Sequence, residues 1–122
     1  MRYDQVAIIS SGDMSGSLNS IGIDLQQLFL GSIQIVWASG ATPVGALTLE
    51  VSNDIVQPSL GTNPAANVVN WTTYSGSSTA LSGNSGTAFY NITDMGFRWL
   101  RLVYTRTSGS ATMNAVFFGK GA

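Results

Sequence analysis

The run Phe97-Arg98-Trp99-Leu100-Arg101-Leu102-Val103-Tyr104-Thr105-Arg106-Thr107-Ser108-Gly109-Ser110-Ala111-Thr112-Met113-Asn114-Ala115-Val116-Phe117-Phe118 decides the fold class. Two stretches rich in β-branched and aromatic residues flank a Ser/Gly step at 108–110, which reads as a β-hairpin with its turn at Gly109. Together with Lys120 just beyond it, this run carries four of the five basic residues.

Upstream the same period-2 alternation recurs. Ile33, Ile35 and Trp37 alternate with Gln34 and Val36, and Leu47, Leu49 and Val51 alternate with Thr48 and Glu50. Both read as strands with one face buried. Residues 39–45, which include Gly40, Pro43 and Gly45, read as the loop between them. Further short strands are expected at 6–9, 21–25, 70–74, 80–81 and 88–92, and residues 24–28 could instead form one helical turn capped by Asp24. About seven or eight strands with a turn signal roughly every ten residues describe one antiparallel, jelly-roll-like β-sandwich. Residues 10–17 have no period and are rich in Ser and Gly, so 1–17 are expected to form an N-terminal arm, with the sandwich at 18–122. Residues 55–68 contain Pro58, Gly61 and Pro64 and read as a long excursion that cannot be a central strand.

A chain of 122 residues is one domain by length, and it buries roughly two-thirds of its surface. It has neither Cys nor His. That removes disulfides, thiol nucleophiles, the commonest general base and the commonest metal ligands. Its six carboxylates are never two or three residues apart. No catalytic residues, metal or cofactor are therefore expected, and the chain is not expected to be an enzyme.

Only 9% of residues are charged, against roughly a quarter in an average domain. Weak self-repulsion suits a permanent place in an assembly. A net charge of −1 gives phosphates no basic face, so nucleic acid is not an expected partner. No apolar run reaches the ~18 residues of a membrane span, and no signal peptide is recognisable. Residues 1–61 hold five acids against Arg2, net −4, whereas 62–122 hold Asp94 against Arg98, Arg101, Arg106 and Lys120, net +3. This asymmetry fits pairing within the folded chain, with head-to-tail pairing between subunits as the alternative.

Arg101 lies among apolar residues on its strand, which points either to a structural ion pair or to a subunit contact. Trp71 and Tyr74, with Asn53 and Asp54, have the chemistry of a sugar-binding platform, although large aromatics also fill sandwich cores. Asn53 and Asp54 supply too few oxygens for calcium and suit an Asx-turn better.

Asn91-Ile92-Thr93-Asp94 with Arg98 through Gly109, together with Ser32-Ile33-Gln34-Ile35-Val36-Trp37, Leu49-Glu50-Val51-Ser52-Asn53-Asp54 and Val69-Asn70-Trp71-Thr72, resembles a group of small tailed-bacteriophage virion proteins built on discoidin-type jelly-roll sandwiches. The resemblance spans roughly residues 12–120. It implies a capsid decoration or cement protein, commonly a homotrimer, located in the virion with the major capsid protein or other virion proteins as partners. The chain departs from that pattern after Asp54, where 55–68 intervene. Candidate partner contacts are accordingly Tyr3 and Met14 in the arm, Ile55, Val56 and Leu60 in the insertion, and Arg101. A carbohydrate- or receptor-binding module of a phage fibre or tail tip, using Trp71, Tyr74, Asn53 and Asp54, is the alternative.

Overall fold

The computed structural model describes residues 3–56 and 64–121. They form an all-β domain, one antiparallel sheet of eight strands. In chain order the strands are β1 (Tyr3–Asp13), β2 (Leu18–Asn19), β3 (Ile23–Asp24), β4 (Leu30–Ser52), β5 (Thr72–Thr73), β6 (Thr79–Leu81), β7 (Gly86–Ile92) and β8 (Trp99–Lys120), with a single 3-10 turn at Pro64–Asn67.

The expected hairpin is absent. β8 runs unbroken through 108–110, and its partner β4 runs unbroken through the expected loop at 39–45. The two pair from Leu30↔Lys120 to Ser52↔Trp99. A straight 22-residue strand would span about 70 Å, yet Leu25 donates its N–H to the Arg98 carbonyl and Phe29 donates to that of Lys120. Four residues reach at most ~14 Å, so the β4–β8 ribbon must fold back on itself.

The fold-over lies where the register shifts, between Ala38 and Gly45. Ser39, Thr42 and Gly109 all have positive φ there, and such a cluster makes bulges that bend a ribbon without ending it. The 82–85 loop braces the bend: Gly40 N–H donates to the Asn84 carbonyl, Thr42 N–H to Asn84 Oδ1, and Trp37 Nε1 to the Gly83 carbonyl. Turn-forming composition therefore marks a bend within paired strands.

The result is a two-layer sandwich. In the first layer β1, the C-terminal half of β8, the N-terminal half of β4 and β7 lie side by side. In the second, the N-terminal half of β8 and the C-terminal half of β4 carry β2, β3, β5 and β6. The odd residue count across the bend reverses the inward parity of β8: Leu100, Leu102 and Tyr104 are buried before it, and Ala111, Met113, Ala115 and Phe117 after it. They meet Ile33, Ile35, Leu47 and Leu49 of β4 in one core. At roughly 25 cal/mol per Å² of apolar surface buried, this shared core drives the closure.

The expected arm is also different. Residues 3–13 form β1, paired along β8, and Ile8, Ile9 and Met14 are in the core. Alternation is weak in this segment because of its two register shifts, at Ala7/Ile9 and Ile9/Gly12. Long-range pairing with a complementary strand edge overrides local composition.

Candidate functional site

The described residues of the insertion build a cap on the outer face of the second layer. Val56, Ala65 and Val68 bury Trp99, with Trp71 packed beside them. The cap is stapled by Asp54, whose carboxylate accepts hydrogen bonds from Val69 N–H at 2.8 Å, Asn70 N–H at 2.9 Å and Asn70 Nδ2 at 3.0 Å. These bonds, the Asn70 backbone N–H foremost, hold the Asp54 carboxyl below the usual carboxylate range. The staple leaves two large apolar side chains in solvent, Ile55 at 99% and Val69 at 77% exposure.

Arg101 lies beside this cap. It faces Glu50 directly across the strand pair, and its Nε donates to Glu50 Oε1 at 2.7 Å. Its guanidinium also lies 4.5 Å from the Trp71 ring centroid. Planarity allows Arg both contacts at once. Arg98 similarly donates from Nε to Asp24 Oδ1 at 2.8 Å. Both pairs join an acid of the N-terminal half to a base of the C-terminal half, so the charge asymmetry is resolved within the chain at these two places.

The sugar-platform residues do not form one site. Asn53 and Asp54 line a depression of about 370 Å³ with Val51, Ser52, Asn70, Thr72 and Phe97, whereas Trp71 lines another of about 230 Å³ with Arg101, Ile21 and Val68. Tyr74 packs edge-on against Phe97, its ring centroid 5.4 Å away. Asn53 Oδ1 accepts the Arg98 N–H. Arg101 already stacks on the Trp71 indole that a pyranose would need.

Of the partner-contact candidates, Tyr3 and Ile55 are exposed. Met14 has no exposed surface and Val56 only 7%; both were expected at the surface because their segments look like loops, yet each fills an apolar cluster where a partner cannot reach it. Leu60 lies outside the described residues.

A second exposed surface escaped the sequence reading. On the outer face of the first layer, paired residues form rows: Tyr3, Lys120 and Leu30; then Gln5, Phe118, Ser32 and Asn91; then Ala7, Val116, Gln34 and Phe89; then Asn114, Val36 and Thr87. Tyr3, Leu30, Val36, Phe89 and Phe118 all stand in solvent, and the Tyr3 and Phe118 rings lie 6.3 Å apart. Consecutive apolar residues, as in Phe117-Phe118 and Ile35-Val36-Trp37, were the available signal, because a pleated strand cannot turn neighbours to the same side.

No protein-family model matches the sequence, and no curated protein is significantly similar to it. In three dimensions the chain is similar to the crystal structure of the SPBc2 prophage-derived protein YomS, with a TM-score of 0.54 and 11% identity, covering 96% of this chain and 93% of that one. The fold is shared with a prophage-derived protein. At that identity the likeness speaks to architecture alone. Among the described residues no helix is long and apolar enough to cross a membrane.

Proposed function

We propose that this chain is a non-enzymatic bacteriophage virion structural protein, a capsid decoration or cement protein that stabilises the head by bridging capsid subunits. A bridge needs contact surfaces in two places. The observation that carries the reading is that this small, weakly charged sandwich exposes apolar side chains on both outer sides, at Ile55 and Val69 on the cap and across the rows from Tyr3 to Val36 on the opposite layer. The fold likeness to a prophage-derived protein supports the same source.

The mechanism is burial. Each square ångström of apolar surface covered on docking favours the assembled shell by about 25 cal/mol before ordering costs. The Asp54 staple contributes by fixing Ile55 and Val69 before contact, so less freedom is lost on binding. The major capsid protein or another virion protein is the partner of the cap, and the protein resides in the virion after synthesis in the host cytoplasm.

Cryo-electron microscopy of whole particles tests this. Hundreds of copies distributed over the shell are expected. A few copies at a fibre or tail tip, with glycan binding that is lost on Trp71→Ala, would overturn the reading in favour of a receptor-binding module.

A further inference from the structure

We infer that the outer face of the first layer is the seat of a second copy of this chain, the two sheets packing face to face about a two-fold axis. The inference rests on reading the chain as an assembly component and names the partner of one of its two surfaces.

The two outer faces of the sandwich are treated differently by the chain. Val56, Ala65, Val68 and Trp71 cover part of the second layer and bury Trp99 beneath them; what stays outward there includes the ion pair Glu50–Arg101. No described segment covers the first layer. Its rows combine aromatic and aliphatic side chains with the amides Gln5, Gln34, Asn91 and Asn114, and Lys120 is their one charged member.

That composition selects a like partner. Aromatic enrichment with few charges is the signature of an interface centre. Within these rows a strongly charged partner would find only Lys120 to pair with; the nearest acid, Asp13, lies beyond them in the row of Thr112 and Ala38. An amide both donates and accepts, so the same amides on a facing copy satisfy one another. A two-fold axis along the row of Val116 and Gln34 sets Phe89 against the second copy's Phe89 at one side, faces Phe118 with the row of Asn114 and Val36, and keeps the two Lys120 ammonium groups at opposite ends. Sheets packed this way lie about 10 Å apart with strands roughly 30° off parallel.

The area suits a weak dimer. Fourteen positions, each about 4.8 by 6.7 Å, present roughly 450 Å² per copy. The pair therefore covers ~900 Å², in the range of weak, transient interfaces. A face packed on itself is isologous and closes at two copies, so the trimer implied by the resemblance would need another surface.

The purified full chain is tested by sedimentation velocity from 1 to 100 µM. A dimer mass is expected, and Phe118→Glu and Phe89→Glu should each raise the dissociation constant at least ~30-fold, while Ile55→Glu on the opposite side leaves the mass unchanged. Because the chain contains no cysteine, Gln34→Cys beside the axis should be joined into a dimer by a short bis-maleimide, whose span suits facing backbones about 10 Å apart, and Thr105→Cys on the other layer should not. This second readout decides the matter even where a Glu variant fails to fold. A wild-type monomer at 100 µM, an oligomer indifferent to both Glu substitutions, or equal crosslinking of the two Cys variants would overturn the inference. Particle imaging judges the virion reading separately: a solution dimer from a chain absent from particles would sink that reading and leave the face-to-face pair standing.

Discussion

Replacing Gly109 by Ala should destabilise the protein by about 2–5 kcal/mol. Gly109 sits in β8 at the bend with φ +75, a region that costs an L-residue roughly 1–2 kcal/mol. A Cβ placed there would overlap the Thr42 carbonyl oxygen and lie 2.5 Å from the Thr42 carbonyl carbon and 2.7 Å from the Ala41 oxygen. These are backbone atoms of the paired strand, held by the ladder and by Asn84. They cannot rotate aside as a side chain would. Overpacking of this kind adds typically 1–3 kcal/mol. For 122 residues the unfolding entropy is about 0.26 kcal/mol/K, so Tm should drop by roughly 8–20 °C. Thermal and urea unfolding of wild type, Gly109→Ala and Gly109→Asn measure this. Asn tolerates the left-handed region, and at the open tip of a hairpin it would be nearly neutral. At a bend pressed against Thr42 its Cβ meets the same carbonyl, so Asn should cost nearly as much as Ala. A Gly109→Asn stability within ~0.5 kcal/mol of wild type would refute the folded-over ribbon.

Two further outcomes follow from the cap and from β1. The Asp54 carboxyl has a lowered native pKa, chiefly through the Asn70 N–H; its contribution is present above the unfolded value near 4 and is lost as pH falls through the native value. The urea midpoint of Asp54→Asn should therefore change less between pH 5 and pH 3 than that of wild type, and parallel falls would contradict the staple. Deleting residues 1–17 removes the edge strand β1 and takes Ile8, Ile9 and Met14 out of the core, so circular dichroism and size exclusion should report an unfolded or aggregated chain. A soluble fragment with the wild-type Tm would show that β1 is a dispensable arm.

Much of the architecture is legible in local pattern. Period-2 alternation in 33–37, 47–51 and 99–105 gives strands and their inward residues, because the pleat alone sets which side chains share a face. Absence of Cys and His bounds the chemistry before any folding. The hairpin at Gly109, the loop at 39–45 and the arm at 1–17 were misread for one shared reason: Ser and Gly report local freedom, and whether the chain turns, bends or pairs there depends on a partner distant in sequence. Likewise Asp54 and Arg101 stood out as polar residues beside strands, but their partners, Asn70 and Glu50, are set by register.

The sequence by itself determined an all-β, weakly charged domain without Cys or His, since alternation and composition are properties of single strands and single residues. Only the tertiary structure decided which apolar residues remain outside. Phe117 and Phe118 are chemically identical neighbours, and one lies in the core while the other stands in solvent. The bend shifts β8 by one residue relative to β4, and that shift assigns the two faces: with a period of two, a single residue exchanges inside for outside.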